Sequence, residues 1–371
     1  MGASRENVSV NVQRKPVPEM NEFTTRFLTE DDYSKWNRFV ASSPSGSIYS
    51  TPEYLDALCS AAGGSFKILA CLKGDEIAGG IGLYENTSPF GTFVSNRLLL
   101  YYNGLVLGNH KSSHPYQDTS RSIKIMSALQ TDLAACDYGR VLLHNRSPIA
   151  DLRPFLAAGW RAEPSYTYVV QIDDLEKLQS RMEQNLRRLI NRCESNDVTF
   201  SDDDDFDSFF RMHEDTHQRK DAPLYLPRSE FRKYFEKLKS QNLCRLYQAR
   251  TKEGRSIAAQ LVLRNEHPVT HTVCAAADQE FLNIGSTPYL RWKAFEDLSA
   301  AGYKANDLTD AALNPVTRFK GQLGGDLETT FILTRPDALR FRVGESARSL
   351  YYKGRGAMGR LIKHAGVWSS R

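Results

Sequence analysis

Four groups of residues in this chain have the types and spacing to do chemistry. The first is Lys320, which follows Phe319 at the start of a short amphipathic segment, 316–323. A fixed cation in a water-poor cleft stabilises developing negative charge far more strongly than it would in water. The second is a pair of acids, Asp307 and Asp310, just after the stretch that ends near Ala305. Either could take a proton, directly or through water; the commoner role of Asp in such loops is to form turns and caps, and that role is the one expected of Asp310. The third is the run Asn283-Ile284-Gly285-Ser286-Thr287-Pro288, a helix start with Ser286 or Thr287 as N-cap and Pro288 in the first turn. Exposed amides there can receive a phosphate or carboxylate, with Tyr289 and Arg291 flanking it, although the same residues also make a sound helix start and nothing more. The fourth is His213-Glu214-Asp215-Thr216-His217, the HExxH spacing of a zinc hydrolase, with both imidazoles on one helix face and Glu214 as base. Phe206, Phe209 and Phe210 share the stripe of His213, as on a packing face, and Glu230 and Glu236 downstream sit in no recognisable ligand motif. No metal is expected.

The elements that must position these residues occur twice. Residues 139–172 read as a strand at Val141-Leu142-Leu143, a loop, a short helix ending at Gly159 and a closing strand over 166–172. Residues 303–335 repeat that order with Asp307-Leu308, a helix over 316–323, Gly324-Gly325 and a strand over 329–334. Each unit follows a hairpin, 68–83 turning at Lys73-Gly74-Asp75 and 245–263 turning at Lys252-Glu253-Gly254. Where the first copy has Phe155-Leu156, the second has Phe319-Lys320, so one copy is expected to be scaffold and the other to carry the chemistry. Further helices are expected over 120–135, 206–220, 229–240 and 288–300, and a long one over 175–194 carrying Arg181, Arg187, Arg188 and Arg192. Strands are expected around 98–102 and over 269–276. Strands alternating with helices predict an α/β (α+β) fold with a mixed central sheet flanked by helices in each half.

Composition bounds the function. The 371 residues are 41% hydrophobic and 25% charged, ordinary for a globular chain, and the length suits two domains. No apolar run approaches the roughly 20 residues that span a bilayer. The first 20 residues are a polar leader without the apolar core of a signal peptide, and Glu6 stands where a myristoylation signal needs Ser or Thr, so a cytoplasmic location is expected. Six cysteines form no CxxC pair and read as reduced core residues. Residues 337–371 hold eight Lys or Arg against Asp337 and Glu345, a local +6 in a chain of net +4, which leaves −2 for the rest. With Leu350, Tyr351, Tyr352, Ile362 and Trp368, this basic tail suits weak contact with an anionic membrane surface, on the inner face, or with RNA phosphates.

The element order resembles that of a GNAT-type acyltransferase domain, and two such units in one chain resemble the FemAB-like branch, whose members move an acyl or aminoacyl group onto an amine. The likeness is carried by 36–54, 79–84, Arg187-Arg188-Leu189-Ile190-Asn191-Arg192-Cys193-Glu194, 216–219 and 307–325, and it spans about nine tenths of the chain. It implies two tandem GNAT-like domains, a scaffold over 21–173 and a catalytic domain over 174–336. Phe319-Lys320 matches the family's Phe-Lys pair, which implies that Lys320 lies near the reacting carbonyl with Phe319 at the substrate. Arg219 matches the arginine of a Thr-x-x-Arg stretch that grips the acceptor, often at its phosphates. In such a reaction Lys320 would stabilise the oxyanion and Asp307 would accept the amine proton. Gly285, Ser286 and Thr287 would hold the cofactor and Tyr289 the substrate. Two departures stand out: Leu58 where cell-wall members tend to be basic, and Leu282 and Thr287 at the flanks of the pyrophosphate loop. The expected donor is acyl-coenzyme A rather than aminoacyl-tRNA, because the chain lacks an inserted helical arm or a strongly basic core. The expected acceptor is a small-molecule or lipid-linked amine of a cell-envelope or polysaccharide precursor. An aminoacyl-tRNA-dependent transferase of the peptidoglycan-bridge type, a zinc hydrolase at His213 and His217, and a non-catalytic ligand-binding module are the alternatives.

Overall fold

A computed structural model describes residues 22–97 and 99–344. The first half runs β1 (Thr24–Phe27), α1 (Tyr33–Ser42), α2 (Pro52–Ala62), β2 (Ser65–Lys73), β3 (Glu76–Ser88), β4 (Gly91–Val94), β5 (Leu105–Leu107), α3 (Pro115–Ala135), β6 (Arg140–Asn145), α4 (Arg153–Ala157) and β7 (Arg161–Gln171). The second runs α5 (Leu175–Arg181), α6 (Gln184–Glu194), β8 (Thr199–Ser201), α7 (Phe206–Arg219), α8 (Arg228–Ser240), β9 (Cys244–Arg250), β10 (Ser256–Leu263), β11 (Val269–Ala277), α9 (Ser286–Ala300), β12 (Ala305–Asp307), α10 (Pro315–Gln322) and β13 (Asp326–Thr334). Local chemistry accounts for many boundaries. Pro52, Pro115 and Pro315 open their helices, where the missing N–H costs nothing. Asn314 caps α10 by accepting from the Thr317 amide at 3.0 Å, and Asp205 caps α7 through Ser208 at 3.0 Å. Both hairpins turn where expected, at Gly74 and Gly254, each with positive φ.

The strands form one continuous sheet in the order β1-β2-β3-β4-β6-β13-β7-β12-β11-β10-β9-β8, with β5 on β3. The repeat is visible in the pairing, since β4 lies parallel to β6 as β11 lies parallel to β12. The closing strands are exchanged: β13, from the second unit, pairs with β6, and β7, from the first, pairs with β12, while β7 and β13 pair with each other along nine residues. The sheet is therefore a mixed one flanked by helices, with no break between halves. On one face α2 and α8 meet, and Tyr49, Tyr54, Phe206, Phe209, Phe210, Phe231, Tyr234 and Phe235 pack into one buried cluster. Burying that many aromatic rings supplies a large apolar driving force. Tyr54 and Tyr234 share a 2.9 Å hydrogen bond, which satisfies both hydroxyls inside it.

Two expectations from the sequence are corrected here. The helix over 175–194 is two helices, because Met182 is extended (φ −70°, ψ 138°) and buried, and the Glu183 amide donates to the Gln322 carbonyl at 3.0 Å. That break turns the Leu186-Ile190-Cys193 face of α6 onto α9. The strand expected around 98–102 is only a bridge between Arg97 and Leu100. The polar leader and the basic tail from residue 345 onward lie outside the described residues. The start of that tail packs on the first half, with Asp337 paired to Arg140 at 2.8 Å and Phe341 buried beneath that arginine. No described helix is long and apolar enough to cross a membrane.

Candidate active site

Strands β11 and β12 pair only at Val269↔Ala305, Thr270↔Asn306 and His271↔Asp307. β12 then stops while β11 continues to Ala277, so the two part and open a gap in the sheet. The chain leaves β12 through Thr309 and Asp310, both left-handed (φ 48° and 52°). That conformation is costly for a β-branched residue. It is held by the Thr309 amide donating to Asp307 Oδ1 at 2.8 Å and by Thr309 Oγ1 donating to the Thr272 carbonyl at 3.0 Å. The turn presents two carbonyls toward α10, where Lys320 Nζ donates to that of Thr309 and, at 2.6 Å, to that of Asp310. An ammonium has three N–H groups, so one remains. Burial first, and the nearby Arg291 guanidinium second, push the Lys320 pKa down from 10.5 to about 8, against Asp310 and Asp307.

Asp307 is buried beneath this turn. Its carboxylate accepts from Thr167 Oγ1 at 2.5 Å, the Tyr102 hydroxyl at 2.9 Å and the Thr309 amide. Burial alone would raise its pKa, but the neighbouring His271, the Arg146 charge and these donors outweigh it and hold the group well below the usual carboxylate range. His271 Nδ1 lies 3.6 Å from it, beyond hydrogen-bond distance, and burial lowers the imidazole pKa against the pull of Asp307. Neither nitrogen of His271 has a partner, and Tyr49 and Tyr102 enclose its ring at 4.9 and 5.9 Å. The first half thus contributes Tyr49, Tyr101, Tyr102 and Thr167. Tyr101 lies beside Thr309 and beside Tyr225, which comes from the loop between α7 and α8.

The structure brings together some of the expected site residues and disperses others. Lys320 and the Asp307–Asp310 turn meet in the gap. Arg219 ends α7 at the far end of β11, exposed, with its guanidinium against the Ala277 carbonyl at 3.4 Å. Phe319 packs against the α9 side of the core. Asp307 does not suit direct proton acceptance, because it is sealed from the cleft and its oxygens are taken; exposed Asp310 stands beside Lys320 instead. Tyr289 is buried, with its hydroxyl donating to the Val198 carbonyl at 3.0 Å, so it has nothing to offer a substrate. Gly285 and Ser286 are buried too. A Cβ on Gly285 would stand 2.4 Å from the Leu189 carbonyl oxygen, and Ser286 donates to the Phe281 carbonyl at 3.1 Å. Leu189 of α6 thus packs closely on Gly285, and of Gly285, Ser286 and Thr287 only Thr287 is partly exposed. Tyr101, Tyr102, Thr167 and His271 carried no local motif, so no sequence signal pointed to them.

His213 and His217 are ring neighbours at 4.2 Å, but they do not form an open metal site. His213 is buried among Phe209, Phe210, Phe231 and Tyr225, and burial, then His217, lowers its pKa to about 3. His217 Nδ1 bonds the Pro223 carbonyl at 2.8 Å and so pins the loop that carries Tyr225. Among the described residues, no third Cys, Asp, Glu or His completes a ligand set. A surface concavity of about 780 Å³ between Glu22, Lys124 and Asp132 lies on the first half and contains none of these groups.

Comparison with known proteins agrees with this geometry. Residues 180–320 match the acetyltransferase (GNAT) domain family, a span that includes the gap, α9 and Lys320. No curated protein matches the chain by sequence. Among solved structures, FemX superposes with a TM-score of 0.66 at 12% identity, covering 83% of this chain and 96% of FemX. The C-terminal domain of a protein described as a lysylphosphatidylglycerol synthetase of Agrobacterium fabrum gives 0.54 at 13% identity, covering 86% and 96%. A tandem GNAT protein from the clavulanic acid biosynthesis pathway gives 0.51 at 11% identity, covering 85% and 100%. The chain has a GNAT-type acyltransferase fold, and its second half carries the domain match. That fold is shared over most of both chains with FemX.

Proposed function

We propose that this chain is built of two tandem GNAT-like units, 21–173 as scaffold and 174–336 as the catalytic unit, and that the second transfers an acyl group from a thioester such as acyl-coenzyme A to an amine. The observation that carries this reading is Lys320. It sits in the gap of the sheet with two N–H groups fixed on the carbonyls of Thr309 and Asp310 and one left over. In the reaction the amine nitrogen bonds to the acyl carbon, and the carbonyl oxygen takes up negative charge against the free N–H of Lys320. The amine proton passes to Asp310 or to water, the carbon–sulfur bond breaks, and the thiolate leaves. Asp307 acts at one remove, as a positioning residue that holds Thr309 in the conformation that fixes Lys320. Arg219, at the open end of β11, grips an anionic part of the acceptor. The relatives in fold include a tandem GNAT protein from the clavulanic acid biosynthesis pathway and a domain of one described as a lysylphosphatidylglycerol synthetase, and a cell-envelope or lipid-linked amine is the acceptor we favour. With Gly285 and Ser286 buried, a coenzyme A pyrophosphate would lie nearer Thr287 and the rim.

The test is donor binding followed by turnover. Acetyl- and longer acyl-coenzyme A and aminoacyl-tRNA are screened for thermal stabilisation of the protein, since a ligand that binds only the folded state raises its apparent stability. Thiol release is then followed with amine acceptors. Lys320→Met is expected to keep the stabilisation by donor and to lose about 100-fold or more in kcat, the usual size for removal of an oxyanion donor. Turnover equal to wild type would remove Lys320 from the reaction.

A further inference from the structure

Near Lys320 lies a charge that nothing among the described residues answers. Arg291, on the second turn of α9, is 7% exposed. Its Nε and Nη1 have no hydrogen-bond partner, so three of its five N–H donors are unsatisfied in the interior. It lies close enough to Lys320 for its charge to be felt there, and close enough to the Cys274 thiol to be felt there too. Cys274 stands on β11 three residues past the last pair with β12, and Lys320 bonds the turn that leaves β12, so the Arg291 charge acts on groups at both sides of the gap. The nearest acids are committed elsewhere: the oxygens of Asp307 are taken by Thr167, Tyr102 and Thr309, and Asp310 faces solvent beside Lys320. Cys274 is buried and its pKa is raised, so it is a neutral thiol and no counter-ion.

A buried, unpaired guanidinium is among the most expensive groups a fold can carry, and an unsatisfied buried donor retains its full desolvation cost. The groups that repay such a cost are planar oxyanions, which accept two parallel N–H bonds from the guanidinium fork. We propose that Arg291 binds a carboxylate of the substrate, so that the reacting molecule is an acid as well as an acyl donor or an amine. One unpaired guanidinium balances one negative charge, and the closed surroundings suit a flat carboxylate better than a dianionic phosphate. The inference rests on the acyl-transfer reading for its location. It adds that the acceptor is an amino acid or similar zwitterion, or that the donor is a dicarboxylic acid thioester.

The experiment uses the full chain in chloride buffer at fixed ionic strength, with acetate as first probe and sodium chloride as control. Acetate is expected to raise the melting temperature saturably in wild type, and Arg291→Met to bind it at least about tenfold more weakly. Arg291→Lys, which keeps the charge without the fork, should fall between the two. Two further arms separate the sources. Stabilisation by glycine but not by methylamine assigns the carboxylate to the acceptor, and stabilisation by succinyl- over acetyl-coenzyme A assigns it to the donor. Equal responses of wild type and Arg291→Met to acetate, or a response matched by chloride, would overturn the proposal. Its failure would leave the Lys320→Met result intact, because that variant tests turnover and not carboxylate affinity.

Discussion

Arg291→Met should make the unliganded protein more stable. Burial lowers the pKa of this guanidinium from 12.5 to about 10, with only the Cys274 thiol acting the other way. At about 1.4 kcal/mol per pH unit, that drop corresponds to about 3 kcal/mol by which the folded state disfavours the charged form. Because the folded value lies below the unfolded one, the penalty is complete at any pH below about 10 and fades only as pH climbs from there toward 12.5. At pH 7 it is therefore fully present. Met keeps most of the apolar stem, and no hydrogen bond is lost from Nε or Nη1 because neither makes one. The relief is reduced by imperfect packing of the new side chain, so a gain of about 1 to 3 kcal/mol is expected. Urea unfolding followed by tryptophan fluorescence and by circular dichroism measures it, in buffer free of carboxylates and phosphate. Adding acetate should narrow the difference, since the anion stabilises only the protein that retains the arginine. A variant that unfolds at the same or a lower urea concentration than wild type would show that the guanidinium is already balanced in the folded protein.

Two other outcomes follow from the same geometry. With Lys320 pushed down to about 8, its ammonium is present below that pH and lost above it, so kcat should fall as pH rises through about 8; Arg291→Met removes a neighbouring cation and should move this alkaline limb upward, whereas a limb that stays in place would separate the two residues. Gly285→Ala forces a Cβ to 2.4 Å from the Leu189 carbonyl at φ 92° and should destabilise the α6–α9 contact by about 2 kcal/mol or more, read by chemical denaturation; a neutral result would mean that α6 yields easily and that the helix start is open to ligands after all.

The sequence by itself determined what depends on short-range pattern. The two hairpins with their glycine turns, the paired strand-helix-strand units and the substitution of Lys320 for Leu156 are all written in runs of fewer than about 40 residues, where periodicity, caps and turn residues act locally. The order of elements was enough to suggest the acyltransferase fold and the half that carries its chemistry. Only the tertiary structure decided which strands are neighbours across the centre. The exchange of β7 and β13 joins residues more than 150 positions apart, and no local preference distinguishes pairing with one's own unit from pairing with the other. The same distance hid the site's environment. Asp307 looked like any loop carboxylate until Tyr102 and Thr167 closed over it, and Tyr289 looked free until Val198 took its hydroxyl. Arg291 was read as flanking an anion at the start of its helix, but that it is buried without a partner is a property of everything packed around a side chain and of nothing beside it in the chain.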